Sequence, residues 1–484
     1  MKTVSLLKVT FQEAFFMSTL STSSWIEEEF SNAIFPDPRL VKRFKILAAE
    51  LGAKPEAPIN QASLTSASTK GAYRFFNNDS VDDEMIIAPH IEATALRCLN
   101  ADEIVIAQDT TFLDYSNHDS VKGLSSFQKK GKEFKGIALH TGLAMSGSGL
   151  PLGQLYHHQW VREEKVTETP HKRSMKPIEE LESSRWLHCM AQSREILDKK
   201  KIIHVGDREA DIFEVFQFAK SCKVDLVVRS SYDRIVLEGG KLKDVLDSIK
   251  SKDYLSLEVP GNGSRKKRTA KLHIKYSLVT LDSCPRGIAT KRNEGRRDTT
   301  LWVVEAKEKD PPEDVQRLEW RLLTTLPVNS FEDAIKILRY YRMRWNVELF
   351  FKTLKSGCKI EDCRLETVKG LKRYNSLISV FGWRLFWMAF IDGHHPDVSC
   401  EAFFKKSEWQ SAWLMAHKSQ IKKGLMKAKP PQEIPKLKEV IRWIANLGGL
   451  VGQSSKVKPG IITMWRGWLS LVPAIEMYEM MSEN

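Results

Sequence analysis

The sequence predicts an α/β protein: a mixed-sheet core carrying an inserted β subdomain, with helical domains at both ends. Two observations lead there. Apolar strand-like runs at 104–109, 134–145 and 152–161 precede a β-α-β pattern, so antiparallel strands feed a parallel pair. A long proline-free stretch, 330–357, then has helical periodicity and the apolar bulk to pack on that sheet.

Residues 1–16 read as a disordered extension, with Met17 as an alternative start. Residues 17–85 read as a helical DNA-binding module. In it, Asp37-Pro38 opens a helix stopped by Gly52, and Ser24 with Glu27 forms a capping-box pair. Arg39, Lys42, Arg43 and Lys45 give that helix a basic side, as on many small DNA-binding helices. The first part of the core is expected over 86–231. Its first strand ends at Asp109, and the next two are joined by the hairpin turn S-G-S-G. The strand K-I-I-H-V-G-D then ends at Asp207, helix 211–220 follows, and V-D-L-V-V-R-S closes the pattern.

Residues 232–320 differ in character. Short β-like runs alternate with Gly, Pro and charge, and a long structureless loop is improbable inside a folded domain, so they read as an inserted β subdomain. Within it, 261–297 holds eleven Lys/Arg against two Asp/Glu. The run Arg265, Lys266, Lys267 and Arg268 is expected to contact phosphates without reading sequence. The core resumes over 321–395, and 396–484 is a helical C-terminal domain with a Lys-rich segment at 417–438 and an apolar tail.

The charge balance is +13, from 74 Lys+Arg and 61 Asp+Glu, which points to a polyanionic partner such as nucleic acid. The seven cysteines lack C-x-x-C spacing, which excludes a disulfide framework and a zinc site. No stretch reads as a membrane span or a secretory signal. The nearest candidate, Tyr374 to Ile391, carries Arg384 in its middle and reads as a packed core helix. A cytoplasmic, nucleoid-associated protein is the expectation.

The chemistry concentrates on 330–357. Ser330 and Asp333 form a capping box, Gly357 is a plausible stop, and one helix of roughly 39 Å is expected. On it Tyr341, Arg344, Glu348 and Lys355 fall on one stripe, within roughly 60° at about 100° per residue. An Arg344–Glu348 pair at i,i+4 would by itself be ordinary surface stabilisation. Here Trp345, Val347, Leu349, Phe350 and Phe351 surround Glu348, and a carboxylate so placed needs a partner, a metal or a raised pKa. Asp109 and Asp207 end apolar strands, where open sheets gather functional groups. Three carboxylates in one site repel unless cations intervene. Hard oxygen ligands suit Mg²⁺, with Mn²⁺ able to substitute, and two such ions would serve phosphodiester chemistry.

These residues carry a resemblance. The chain is similar to insertion-sequence transposases with an RNase H-like core and a D-D-E triad, in the group with the signature Y-x2-R-x3-E-x6-K, of the Tn-five type. Tyr341, Arg344, Glu348 and Lys355 meet every spacing, and G-A-Y-R-F at 71–75, D-R-E-A-D at 207–211, V-V-R-S at 227–230 and L-G-G at 447–449 are shared stretches. The likeness covers nearly the whole chain from about residue 24. It implies that Asp109, Asp207 and Glu348 bind two catalytic metal ions, and that Tyr341, Arg344 and Lys355 contact phosphates near the transposon end. Arg208, Arg229, Arg74 and Lys54 are further implied DNA contacts. Trp320 would stack on a base flipped out during hairpin formation, with Trp345 nearby. The implied activity is cut-and-paste transposition by a homodimer formed through the C-terminal helices, acting on double-stranded transposon-end and target DNA. The chain departs from the pattern in its N-terminal extension and in a shorter C-terminus. A nuclease of the same core that cuts without joining, and a catalytically silent DNA-binding inhibitor, are the rival readings.

Overall fold

The structure is a computed structural model and describes residues 22–118, 120–129, 131–162, 175–251, 253–259, 267–283, 295–313, 315–394, 397–402, 404–450 and 459–482. The N-terminal helices are α1 (Thr22–Phe30), α2 (Pro38–Ala53), α3 (Ile59–Ala62), α4 (Ser66–Phe76) and α5 (Asp83–Cys98). Asp37 caps α2 through the Arg39 N–H with Pro38 in the first turn, as predicted. The predicted Ser24 cap is not one, because α1 already begins at Thr22. Residues 1–16 lie outside the described residues.

The core strands are β1 (Glu103–Asp114), β2 (Ser125–Lys129), β3 (Lys132–Ser146) and β4 (Pro151–Trp160). Helix α6 (Arg185–Ile196), β5 (Lys201–Gly206), α7 (Phe213–Cys222) and β6 (Asp225–Arg229) follow. Then come α8 (Leu242–Ser248), β7 (Asp253–Val259), β8 (Arg268–Leu281), β9 (Thr299–Glu308) and β10 (Glu319–Thr324). The sheet order is β2-β3-β1-β5-β6-β10-β9-β8-β7, with β4 paired to β3. β1, β5 and β6 run parallel, and their neighbours on both sides run antiparallel. The insert is β-rich as predicted, and its strands extend the core sheet through β10 instead of forming a separate one.

β1 does not stop at Asp109. Residues 110–114 continue the strand against β3, with Asp109 opposite Thr141, because Thr110, Thr111, Phe112 and Leu113 favour extended backbone and no breaker intervenes.

The chain then forms α9 (Phe331–Met343), α10 (Trp345–Lys352) and α11 (Val368–His394). The Ser330–Asp333 capping box is present. The predicted single helix is interrupted at Arg344, where tighter i→i+3 bonds form: Arg344 N to Tyr341 O, 3.1 Å, and Val347 N to Arg344 O, 3.2 Å. It ends in a wider turn, with Cys358 N bonded to Thr353 O at 2.9 Å. The left-handed residue beyond it is Lys359, at φ 50°, and not Gly357. α11 is buried through most of its length, with Arg384 over the Trp387 ring at 4.5 Å.

The C-terminal helices are α12 (Lys406–Lys422), α13 (Leu437–Leu447) and α14 (Ile461–Ser482). The L-G-G stretch has a packing reason. A Cβ on Gly448 would lie 1.8 Å from Thr463 O and one on Gly467 1.7 Å from Ile444 O, so the α13 and α14 backbones meet there. The N-terminal helices are joined to the rest by polar contacts as well as apolar ones. Trp465 Nε1 donates to Gly52 O at 2.9 Å, and buried Glu29 of α1 accepts from His90 and Arg97 of α5. Arg97 also donates to Leu152 O of β4 at 2.6 Å and lies 4.4 Å over Trp383 of α11.

Candidate active site

The strand register places the two aspartates. β1 and β5 pair in parallel from Glu103↔Lys201 to Ala107↔Val205. Asp109 and Asp207 each lie two residues beyond that last pair, so they share a row and a side at the edge where β5 ends. Asp207 also caps a short 3₁₀ turn, Arg208–Ala210, by accepting from Glu209 N at 2.8 Å. Helix α10 packs across β1 and carries Glu348 toward the same edge.

Arg344 closes the group. Its Nη1 donates to Asp109 Oδ2 at 3.4 Å, and its Nη2 is hydrogen-bonded to Glu348 Oε1. Burial first, and then the charge of Asp207, push the Asp109 carboxyl up to about 7, against the pull of the Thr110 N–H and Arg344. Asp109 therefore sits in a place that disfavours negative charge without a further cation. Among the described residues no group of three acidic, histidine or cysteine side chains is drawn to metal-ligating distance, and the Arg344 guanidinium spans Asp109 and Glu348 instead.

Other predicted residues converge on a neighbouring cleft of about 480 Å³. Arg229, Trp320, Tyr341, Arg344 and Trp345 all line it. Trp345 is 56% exposed, an indole facing solvent beside an acidic edge. Lys355 pairs with Glu361 at 2.9 Å and bonds Phe112 O, so it is held at the β1 end of the site. Arg208 is exposed on the turn that Asp207 caps.

Lys54 and Arg74 are not brought to the acids. Both are exposed on the N-terminal helical region, with Lys54 Nζ bonded to Gln61 O at 3.2 Å. Of the expected basic run, Arg265 and Lys266 lie outside the described residues. Lys267 pairs with Glu258 at 2.9 Å. Arg268 is committed to Glu308, itself 3% exposed, through a two-point contact, so it is a structural cation and not a free phosphate contact.

Sequence reasoning missed Arg185. Its Nε donates to Thr110 Oγ1, beside Asp109, and its Nη2 to Glu209 Oε2, beside Asp207, each at 2.9 Å. No local pattern marks it, since its partners lie on other elements. The six described cysteines are unbridged, and Cys284 lies outside the described residues. No helix among the described residues is long and apolar enough to cross a membrane.

The sheet order, the flanking helices and the acidic edge define an RNase H-like α/β core of the kind used to process nucleic acid. Comparison with known families agrees. Residues 22–81 match the model described as transposase DNA-binding, 100–379 the transposase DDE domain, and 380–479 the transposase Tn5 dimerisation domain. The chain belongs to the DDE transposase family, as an insertion-sequence transposase of the Tn5 type. It is therefore an enzyme of the nuclease and transposase class, with DNA as a partner and a dimerisation domain. Among solved structures it is similar to a piggyBac transposase synaptic complex with hairpin DNA, studied by cryo-EM. The match is at 10% identity and TM-score 0.35, covering 87% of this chain and 85% of that one.

Proposed function

We propose that the chain is a cut-and-paste transposase that binds transposon ends, cleaves them by hydrolysis and hairpin formation, and joins the 3′ ends to target DNA. The observation that carries this reading is the shared row of Asp109 and Asp207, with Glu348 tied to Asp109 through Arg344. DDE transposase domains generally use divalent ions. The residues here fit one: the donors are hard carboxylate oxygens, and burial together with the charge of Asp207 holds Asp109 up at about 7, which a cation would relieve. Asp109, Asp207 and Glu348 would hold two Mg²⁺ ions, which when bound supply an activated water or hydroxyl and stabilise the leaving oxygen.

The chain's own residues do the rest. Arg344, Tyr341 and Lys355 hold phosphates at the acidic edge, and Arg344 exchanges its carboxylate partners for phosphate oxygens as DNA enters. Arg208 and Arg229 extend the basic track beside it, while Lys54 and Arg74 hold DNA on the N-terminal module. Trp320 and Trp345 offer indole faces to an unstacked base. Residues 17–85 bind the ends, 86–231 with 321–395 form the catalytic core around the insert at 232–320, and 396–484 forms the homodimer.

A donor carrying the paired inverted repeats that flank the gene, incubated with purified protein, Mg²⁺ and target plasmid, tests the reading. Joined product is the expected result. Cutting without joining indicates a nuclease, and binding alone a silent inhibitor.

A further inference from the structure

Gln108 and Thr110 flank Asp109 on β1, and the pleat turns both away from the face that Asp109 occupies. Both belong to one chain of hydrogen bonds. Gln108 Oε1 can only accept, so His140 Nε2 carries the proton between them, at 3.2 Å. His140 Nδ1 then accepts from the Thr110 hydroxyl at 2.8 Å, and Thr110 Oγ1 accepts from Arg185 Nε at 2.9 Å. On the other side Gln108 Nε2 donates to His204 Nδ1 at 2.7 Å. His204 Nε2 donates to Ser193 Oγ at 2.9 Å, and Ser193 donates to Met190 O at 3.0 Å. Burial keeps both histidines neutral, as this polarity requires. The chain leaves α6 at Arg185, crosses β1, β3 and β5, and returns to α6 at Ser193.

Arg185 has a second arm. Its Nη2 donates to Glu209, in the turn that Asp207 caps, and its Nη1 donates to Glu182 O at 2.8 Å. The guanidinium lies 5.7 Å from the Trp160 ring and 5.6 Å from the Trp186 ring, and the side chain is only 12% exposed. One rigid fork thus touches the residue after Asp109 and the second residue after Asp207.

Backbone pairing leaves this task open. The β1–β5 ladder ends at Ala107 and Val205, so no strand-to-strand hydrogen bond of that ladder fixes the distance between the two aspartates. We propose that Arg185 is a positioning residue that sets the spacing of Asp109 and Asp207 by bridging Thr110 to Glu209, with the buried Gln108–His140–His204 chain as its backing. This rests on the reading of Asp109 and Asp207 as the metal-binding pair. Carboxylates that share two ions must keep their spacing within about 0.5 Å, and supporting contacts of this kind change metal affinity or rate by about 10- to 100-fold when removed. A methionine at 185 keeps the stem between the tryptophans and loses all three donors. A lysine keeps the charge and reaches one partner at a time.

The test compares full-length wild type with Arg185→Met, Arg185→Lys, Thr110→Val and, as control, Asp109→Asn. Four quantities are read: thermal transition, affinity for end DNA by gel shift, single-turnover nicking, and Mn²⁺ binding without DNA by the loss of the free-ion EPR signal. The expected result is unchanged end affinity, with nicking in Arg185→Met slower by about 10- to 100-fold and half-saturating Mn²⁺ raised about fivefold or more. Arg185→Lys should recover part of both, and Thr110→Val, which retains the charge but cuts the link to β1, should fall between. Wild-type nicking and Mn²⁺ binding in Arg185→Met overturn the proposal. So does an equal loss in the Met and Lys variants that follows a lowered thermal transition, which makes Arg185 an anchor for α6 and nothing more. If Asp109→Asn is inactive while Arg185→Met is normal, only the spacing role falls. If Asp109→Asn nicks at the wild-type rate, the acidic-pair reading itself falls.

Discussion

Arg344 Nη1 stands 3.4 Å from Asp109 Oδ2 while the other arm of the same guanidinium holds Glu348. An arginine of the proposed phosphate-binding stripe thus serves as a counter-charge of the acidic edge. Asp109 and Glu348, if they held a divalent ion, would have its charge in place of the guanidinium, and Arg344 would then be free to take a phosphate. Two roles thereby meet in one ion pair, and they can be separated by mutation.

Glu348→Ala is expected to abolish strand cleavage and to leave end binding nearly intact. On the proposed metal-holding role, its loss removes several kcal/mol of transition-state stabilisation, or about 10³-fold in rate. Gel shift and cleavage on the same end DNA decide it, and Mg²⁺-dependent nicking near the wild-type rate would remove Glu348 from the active site.

The Glu29 network gives a pH prediction. Glu29 is fully buried, and Arg97 and then His90 outweigh its burial to hold the carboxyl at about 2, against 4.5 when free. His90 is neutral: its Nε2 accepts from Gln154 N at 3.0 Å, so its Nδ1 proton goes to Glu29. A depressed carboxyl adds stability above pH 4.5 and loses it as the pH falls toward 2. The change is worth about 3 kcal/mol at most. Glu29→Gln should therefore melt well below wild type at pH 7, with the gap closing between pH 4.5 and 2. A gap independent of pH would mean that the side chain acts through its shape alone.

Arg268 yields the opposite of what its sequence context implies. It stands in a basic run, yet it neutralises Glu308 beneath the sheet surface. Arg268→Gln should lower stability by about 3 kcal/mol, because it strands a buried carboxylate. It should leave the slope of log K against log salt for DNA unchanged, where a lost phosphate contact would flatten it by about 0.9. Melting and salt-titrated gel shifts on one preparation separate the two.

The sequence was informative wherever a local rule decided the outcome. The Ser330–Asp333 capping box, the Asp37-Pro38 helix start and the β-α-β pattern each depend on neighbours within a few residues, and all are present. Asp109, Asp207 and Glu348 stand out in the sequence as acids set against apolar strands and an apolar helix. What was not legible depends on distant partners. β1 runs past Asp109 because β3 offers a long ladder. The insert joins the core sheet because β10 pairs with both β6 and β9. Arg185 bridges Thr110 and Glu209, 75 and 24 residues away. Residue spacing along a single helix or strand carries none of this.

Trp320 should matter for a step after first-strand nicking. It lies on β10 opposite Ala306 of β9, half-buried, and lines the cleft with Arg229, Tyr341, Arg344 and Trp345. A hairpin joins the two strands of a duplex end, so the backbone must bend sharply there. Taking one base out of the stack relieves that bend, and an aromatic face can replace the stacking the base has lost. Such stacking is worth about 1–3 kcal/mol, so Trp320→Ala should slow hairpin formation by about 5- to 150-fold. Nicking, which needs no flipped base, should persist, and the nicked intermediate should accumulate in a time course on end DNA. A variant that loses its thermal transition or binds no DNA would make Trp320 a core residue. Hairpin and nick yields in the wild-type ratio would show that no base rests on it.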